Sequence, residues 1–396
     1  MREKNSRLFF IYAKFWLTFL FATERLIDEN GVVKVCDFGL SAIKPSSIDK
    51  LKDEDSVPGT PLWMAPEVLL GKPFDSSSDV YSFGIVLWEV YTQDEVFPNM
   101  STFAQFKRAI CFKHERPPIP SKCPPSLKEL MEQCWHKECV ERPNFKEIIG
   151  KINNIIVDVA VSDPMGNRFW KSNFLGKEKV AWEKFHKAFA LALRLPLPLT
   201  TDLEDQFQYL RYLVGTAPPN VHNNAAPNVV DLDSFGRLLH WFGPLVEGPN
   251  FLINLRNVMR CPWFHGDLET KDAEKILSGR KKGCFLVRLS TSKSGMFTIS
   301  KVSSKGISHQ RVQNKPGTGL SLKIVKGTGS KKKTTSITEN VTLDVFISRK
   351  AVASGLGLKE ACPGSKYGFL YGANTKFDVT AAPTGYMEDE DYDDDD

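Results

Sequence analysis

None of the eight cysteines stands in a CxxC pair; they fall at 36, 111, 123, 134, 139, 261, 284 and 362. A structural zinc site needs four ligands at regular spacings, and that pattern is missing. CWHKEC (134–139) has no partner knuckle, and its Trp135 reads as core. Reduced, buried thiols in a cytosolic protein fit the spacing better. An uninterrupted apolar stretch of roughly 20 residues, the length a membrane-crossing helix needs, is also absent. The nearest approach is Leu8 to Ala22, which Lys14 interrupts. It has the basic start and apolar run of a signal peptide, but it is rich in aromatics and poor in small residues at the cleavage end. A membrane or secretory role therefore stays a weak alternative.

Strong charge of one sign is lacking too: the chain carries 52 Lys plus Arg, 47 Asp plus Glu and a formal +5. The balance hides an uneven spread. EDEDYDDDD (388–396) is all acid and Tyr392, whereas residues 263–380 hold 21 basic against 8 acidic side chains. The basic surplus of that C-terminal stretch favours anionic partners. The hydrophobic share of 42% is ample for cores, and the length allows two or three of them.

Residues 26–40 have the pattern of two short strands around DENG, and residues 41–62 read as a polar loop. Helical spacing then recurs at 78–91, 102–112, 126–135 and 143–158, with a proline-rich break at ERPPIPSKCPPS. Residues 165–260 are helical in pattern as well, with Trp182, Phe185, Phe189 and Leu193 on one stripe. From Trp263 onward short strands alternate with Gly, Ser and Lys turns, and helices are expected near 270–278 and 341–353. Residues 383–396 are too acidic to pack.

Four motifs stand in order: CDFG (36–39), GTPLWMAPE (59–67), SDVYSFGIVLWEV (78–90) and ERPNF (141–145). The set resembles the C-terminal lobe of a protein kinase over residues 26–158. The resemblance implies that Asp37 holds magnesium on ATP, a hard cation that takes oxygen ligands. Phe38 would pack into the lobe and Gly39 would let the chain reverse. Ser46, Ser47, Ser56 and Thr60 would lie in the activation segment, where an added phosphate can order the chain. Glu67 and Arg142 match a buried structural ion pair, and Asp79 matches a helix-capping residue that steadies the catalytic loop. The motif wording fits Ser/Thr kinases and tyrosine-kinase-like enzymes alike, so dual specificity stays open.

Three kinase motifs are missing: a Gly-rich phosphate loop, a VAIK-type lysine and an HRDxxxxxN loop. The catalytic loop is expected to end within LTFLFATE (17–24), which holds neither Asp nor Asn. The kinase match is expected to begin abruptly at Leu26, as in a truncated gene or a misplaced exon boundary. A membrane-anchored pseudokinase fragment is the rival. As written, the chain is not expected to transfer phosphate.

A second set, WFHGDLETKDAEKIL (263–277), GCFLVRLSTS (283–292), GMFTISKV (295–302) and ISHQRV (307–312), resembles an SH2 domain over residues 263–380. Alternation along 284–289 puts Phe285, Val287 and Leu289 on one face and Leu286 and Arg288 on the other. An arginine among such neighbours needs an anionic partner, and its planar fork suits a phosphate. Arg288 is thus the expected phosphotyrosine anchor. Ser290, Thr291 and Ser292 would wrap the remaining oxygens, with His309 and Arg311 as pocket wall; a purely structural His309 is the alternative. At Thr270 this family often carries Arg, and the change leaves selectivity and affinity in question.

Residues 169–262 resemble, more weakly, the helical and EF-hand-like region before the SH2 domain of Cbl-type ubiquitin ligases. Asp231 and Asp233 have alternate ligand spacing, but the loop Gly and terminal Glu are missing, so a packing role is expected. The fold class expected is multi-domain: a mostly α-helical kinase lobe, a helical EF-hand-like linker, and an α+β SH2 domain with a central antiparallel sheet.

Kinase lobe first and SH2 domain last is similar to the SH2-containing tyrosine-kinase-like kinases of amoebae. That resemblance implies ATP and Mg as cofactors, tyrosine-phosphorylated proteins and protein substrates as partners, and a cytoplasmic protein recruited to membrane-associated complexes. No nucleic acid is expected. A phosphotyrosine adaptor without catalysis is the alternative, and an anion-binding patch around Lys331, Lys332 and Lys333 is a third reading, marked by steep salt dependence. Tyr392, once phosphorylated, would offer Arg288 a ligand in cis; a solubilising tail is the plainer reading.

Overall fold

A computed structural model of the chain describes residues 61–100, 102–216, 227–290, 295–315, 318–326, 333–365 and 367–370. Contacts divide the chain into two units, residues 1–159 and 160–396.

The described part of the first unit is helical. It contains α1 (Pro66–Leu69), α2 (Ser76–Thr92), α3 (Phe103–Phe112), α4 (Pro125–Cys134) and α5 (Phe145–Ala160). Helix α2 is the centre of the core: Val80, Tyr81, Ile85 and Trp88 are all buried. Gly84 lets α4 pack close, because a Cβ there would stand 2.7 Å from Cys134 Cβ. Trp135 is buried beside them, and the Trp88 indole donates to Pro118 O at 2.9 Å. One expectation is corrected here. The residue that caps α2 is Asp75, whose carboxylate accepts from Ser77 N at 2.8 Å, while Asp79 is exposed in the first turn. The catalytic loop that Asp79 was assigned to steady lies outside the described residues.

The second unit opens with two helix–strand–helix repeats. The first is α6 (Pro164–Phe174), β1 (Lys179–Ala181) and α7 (Trp182–Ala192). The second is α8 (Thr201–Val214), β2 (Gly215–Thr216), β3 (Val229–Asp231) and α9 (Leu232–Phe242). β1 pairs antiparallel with β3, Val180 opposite Val230. Aromatic rings fill the space between the helices: Phe169 lies 5.2–5.6 Å from Phe174, Phe185, Phe189 and Phe235. Asp231 caps α9, accepting from Ser234 N and Oγ at 2.8 Å each. Among the described residues, no cluster of three His, Cys, Asp or Glu is placed to hold a metal.

Helix α10 (Asn250–Met259) leads into a sheet formed by β4 (Phe264–Asp267), α11 (Thr270–Leu277) and then β5 (Cys284–Leu289), β6 (Met296–Ser303), β7 (Gly306–Lys315), β8 (Gly319–Lys326) and β9 (Lys333–Glu339). It closes with α12 (Leu343–Ser348), α13 (Lys350–Leu356) and β10 (Glu360–Ala361). The strand order is β10-β5-β6-β7-β8-β9, with β4 also on β5. The neighbours from β5 to β9 run antiparallel; β4 and β10 lie parallel to β5. A single helix over 341–353 is expected from the sequence, but the chain breaks it at Arg349 into α12 and α13. Gly266 is required at the bulge in β4: it has φ +63°, and a Cβ would meet the Tyr367 ring at 2.5 Å.

The shift in sequence pattern at 260–263 is not a break in packing. Tyr209, Trp241, Val258 and Met259 share one core with Phe285, Val287, Leu289 and Phe297. The Trp241 indole donates to Met296 O at 3.1 Å, and Asn314 Nδ2 donates to Trp241 O at 3.0 Å. The sheet is thus mounted on the helices that precede it.

Candidate phosphate-binding site

The two faces of β5 have different neighbours. Phe285, Val287 and Leu289 enter the large core shared with α9 and α10, whereas Cys284 and Leu286 pack against Ala273 and Leu277 of α11. Arg288 lies on the α11 face, opposite Thr298 in the β5–β6 register. Only 4% of it is exposed.

Its guanidinium contacts neutral oxygens. Nη1 donates to Leu268 O at 2.9 Å, Nη2 to Thr270 Oγ1 at 2.7 Å, and Nε to Ser300 Oγ at 3.4 Å. Among the described residues, no carboxylate makes an ion pair with it. Burial pulls its pKa down from the ordinary arginine value, and the positive charge of Arg311 adds to that pull, while the carboxylates of Glu274 and Asp267 oppose it. An arginine still keeps its proton at any physiological pH. The arrangement is therefore a buried positive charge that, among the described residues, no carboxylate bonds directly, held in position by α11, the loop before it and β6.

The pocket wall extends from Ser300. His309 Nδ1 is 2.9 Å from Ser300 Oγ, and His309 Nε2 is 3.2 Å from Glu274 Oε1. One network thus joins α11, β7, β6 and Arg288. Arg311 stands two residues beyond His309, opposite Thr298, and is exposed. Ser290 is buried at the end of β5, where its backbone N–H donates to Met296 O at 2.9 Å. Thr291 and Ser292 lie outside the described residues. A shallow depression lined by Lys271, Glu274, Lys275, Ser278 and Ile307 flanks α11.

The structure thus brings together Arg288, His309 and Arg311, and adds three residues that motif reading did not place. Thr270 stands where this family often carries Arg, and in this chain it partners Arg288. Glu274 is one helical turn from Thr270, a spacing that put both on one face of α11. Ser300 alternates with Thr298 along β6, but which of them meets His309 depends on the strand register, which no local pattern reveals.

In the first unit, Glu67 and Arg142 meet in the interior. Arg142 Nη1 and Nη2 reach Glu67 Oε1 and Oε2 at 2.7 and 3.1 Å, and Ser78 Oγ donates to the same carboxylate at 2.6 Å. Burial raises the Glu67 pKa, but the bonds from Arg142 and Ser78 outweigh it and leave the pKa lowered. Close by, the Trp63 indole donates to Glu89 Oε2 at 2.7 Å, tying the segment before α1 to α2. Asp37, Phe38, Gly39, Ser46, Ser47, Ser56 and Thr60 lie outside the described residues, as do Tyr392, Lys331 and Lys332.

Comparison with known proteins agrees with this division. Residues 19–152 match the protein tyrosine and serine/threonine kinase family, and residues 263–334 match the SH2 domain. The kinase match begins before Leu26, where an abrupt start was expected. The sheet needs more chain than the SH2 match covers, since β10 pairs with β5. Dual specificity protein kinase shkC of Dictyostelium discoideum is 45% identical over 295 residues, covering 72% of this chain and 58% of that protein. Dual specificity protein kinase shkA of the same organism is 39% identical over 360 residues, covering 86% of this chain and 64% of that protein. Serine/threonine-protein kinase CTR1 of Arabidopsis thaliana is 43% identical over 131 residues, 33% of this chain and 16% of that protein. The chain spans about three fifths of the length of the two Dictyostelium relatives.

Proposed function

The chain carries protein-kinase sequence followed by an SH2 domain, and we propose that it belongs to a signalling kinase which Arg288 delivers to tyrosine-phosphorylated proteins. The supporting observation is the burial of Arg288 among neutral oxygens without a carboxylate partner. A phosphate of about −1.5 to −2 charge is the complementary guest. Leu268 O and Thr270 Oγ1 keep the guanidinium in place until the phosphate oxygens replace them as acceptors. His309 and Arg311 then face the guest from β7, and Ser290, Thr291 and Ser292 supply the loop that follows Arg288. The kinase to which this portion belongs transfers the γ-phosphate of ATP to protein hydroxyls with Ser/Thr or dual specificity, as the names of the relatives indicate for them; the chain as written lacks the Gly-rich loop, the VAIK-type lysine and the HRDxxxxxN loop and is not expected to do so by itself. Magnesium on the ATP phosphates supplies charge neutralisation in that reaction. Asp37 is its assigned ligand. The protein acts in the cytoplasm and is recruited to membrane-associated complexes; among the described residues, no helix is long and apolar enough to cross a membrane.

The test is retention on a phosphotyrosine-peptide column. Wild type is expected to bind and elute with phenyl phosphate, and Arg288→Ala to pass through. Equal retention of the two removes Arg288 from the reading. A second reading, an adaptor that recognises phosphotyrosine without catalysis, is favoured by the sequence LTFLFATE, which has no Asp or Asn at the expected catalytic loop. Sequencing the 5′ end of the transcript separates the two: upstream kinase sequence supports the enzyme, and its absence supports the adaptor.

A further inference from the structure

The acceptor that Thr270 offers to Arg288 is itself a hydroxyl that can carry a phosphate. Thr270 opens α11 and is exposed, yet its Oγ1 lies 2.7 Å from Arg288 Nη2. We propose that Thr270 is a phosphorylation site and that its phosphate occupies Arg288 in cis, closing the phosphotyrosine pocket. The proposal rests on the assignment of Arg288 as the phosphotyrosine anchor.

The chemistry needs ATP and a protein kinase. The bond between the γ-phosphorus and the ADP oxygen breaks, a bond from phosphorus to Thr270 Oγ1 forms, ADP leaves, and the hydroxyl proton passes to the kinase's base. Afterwards the three free phosphate oxygens stand within reach of the guanidinium to which the hydroxyl is now bonded. Charges around Thr270 have both signs. Asp267, Glu269, Asp272 and Glu274 oppose a phosphate there, whereas Lys271, Lys275, Arg288 and Arg311 favour it. The acidic side chains are solvated: Asp272 and Glu274 are about half exposed and already paired with Lys275 and His309. Arg288 is the buried partner, and charge-assisted bonds to a buried guanidinium outweigh screened repulsion at the surface. The first turn of an eight-residue helix adds a modest preference for negative charge at that position.

A phosphate that only crowded the pocket would also block peptide, so two readouts are needed. Phosphothreonine is inserted at position 270 of the full chain during translation. Fluorescence polarisation with a phosphotyrosine peptide is expected to show at least a 100-fold loss of affinity, reversed by phosphatase. The melting temperature of the phosphorylated chain is expected to rise by about 2–4 °C, because the buried charge gains its counter-ion. In Arg288→Met that rise disappears. Affinity within threefold of the unmodified chain overturns the proposal, as does a lowered melting temperature. Mass spectrometry of the protein from the cells that make it is expected to find phosphate on the Thr270 peptide; that peptide seen only unmodified overturns the modification. Failure of the unmodified chain to bind peptide is a different result and counts against the assignment of Arg288 itself.

Discussion

Two arginines are buried among the described residues, Arg142 in the kinase portion and Arg288 in the SH2 portion, and they differ in what surrounds them. Arg142 faces a carboxylate: both terminal nitrogens reach Glu67, Nη1 also donates to Ser77 O at 3.0 Å, and Nε donates to His136 O at 2.9 Å. Arg288 is as deeply buried but meets two side-chain hydroxyls and a backbone carbonyl. Burying a guanidinium is unfavourable in both places, and its partner decides the consequence. In the first unit the pair is closed and holds the segment at Glu67 against α2 and the chain before α5. In the second, the guanidinium has only neutral oxygens within bonding distance among the described residues. Depth of burial does not distinguish the two arginines; the charge of their neighbours does.

Substitution at each site sharpens that contrast. Arg142→Ala leaves the Glu67 carboxylate buried and unpaired, and is expected to destabilise the first unit by about 3–5 kcal/mol. Urea denaturation followed by tryptophan fluorescence measures this, and a loss below about 1 kcal/mol would erase the distinction. Arg288→Met removes an unpaired charge instead. Its unfolding midpoint is expected to match or exceed that of wild type, while phosphotyrosine-peptide affinity falls at least about 100-fold, or about 2.7 kcal/mol. A stability loss on the scale of Arg142→Ala would make Arg288 a structural residue after all.

The sequence made Arg288 legible because a charged side chain interrupts an alternating apolar strand, and a period of two assigns its face without any tertiary information. Helices α2 to α5 were legible for the same kind of reason, with ends displaced by a residue or two where proline or a cap decides the boundary. What escaped depends on contacts distant in the chain. Thr270 meets Arg288 across 18 residues through the packing of α11 on the sheet, and Ser300 meets His309 across 9 through strand pairing, neither of which a local pattern specifies. The mounting of the sheet on α9 and α10 was hidden in the same way, since Trp241 and Asn314 are 73 residues apart. The break between α12 and α13 was missed because the apolar period continues through Arg349.

A carboxylate without a basic partner supplies the next contrast with Glu67. Glu89 is buried and receives a hydrogen bond from the Trp63 indole; burial pushes its pKa up to about 7, against that bond's downward pull. The unfolded carboxyl titrates near 4.5. Between those values the folded chain holds a proton that the unfolded chain has lost. The stabilisation from the protonated form is therefore complete below the unfolded value and lost as pH rises to about 7. The loss is on the order of 1–3 kcal/mol. Urea midpoints of the first unit at pH 5 and pH 8 are expected to differ accordingly, and Glu89→Gln to flatten the difference. An unchanged slope in Glu89→Gln would place the titration elsewhere.

The smallest effect tests whether the helices and the sheet of the second unit unfold together. Asn314 Nδ2 donates to Trp241 O at 3.0 Å and to Gly243 O at 3.3 Å, so one amide from β7 serves two carbonyls at the end of α9. Asn314→Ala removes both bonds and leaves part-buried acceptors, at about 1 kcal/mol. That loss by itself is ordinary. Where it is felt is informative, because a shared apolar core couples the two parts while a linker between separate domains would not. Hydrogen exchange is expected to accelerate by a common factor in the slowest amides of α9, α10, β5 and β6, which are protected until the whole core opens. Acceleration confined to β7 and its neighbours in the sheet would mean that the helices and the sheet that carries Arg288 have independent stabilities, and that the packing of Trp241 against β6 does not position Arg288.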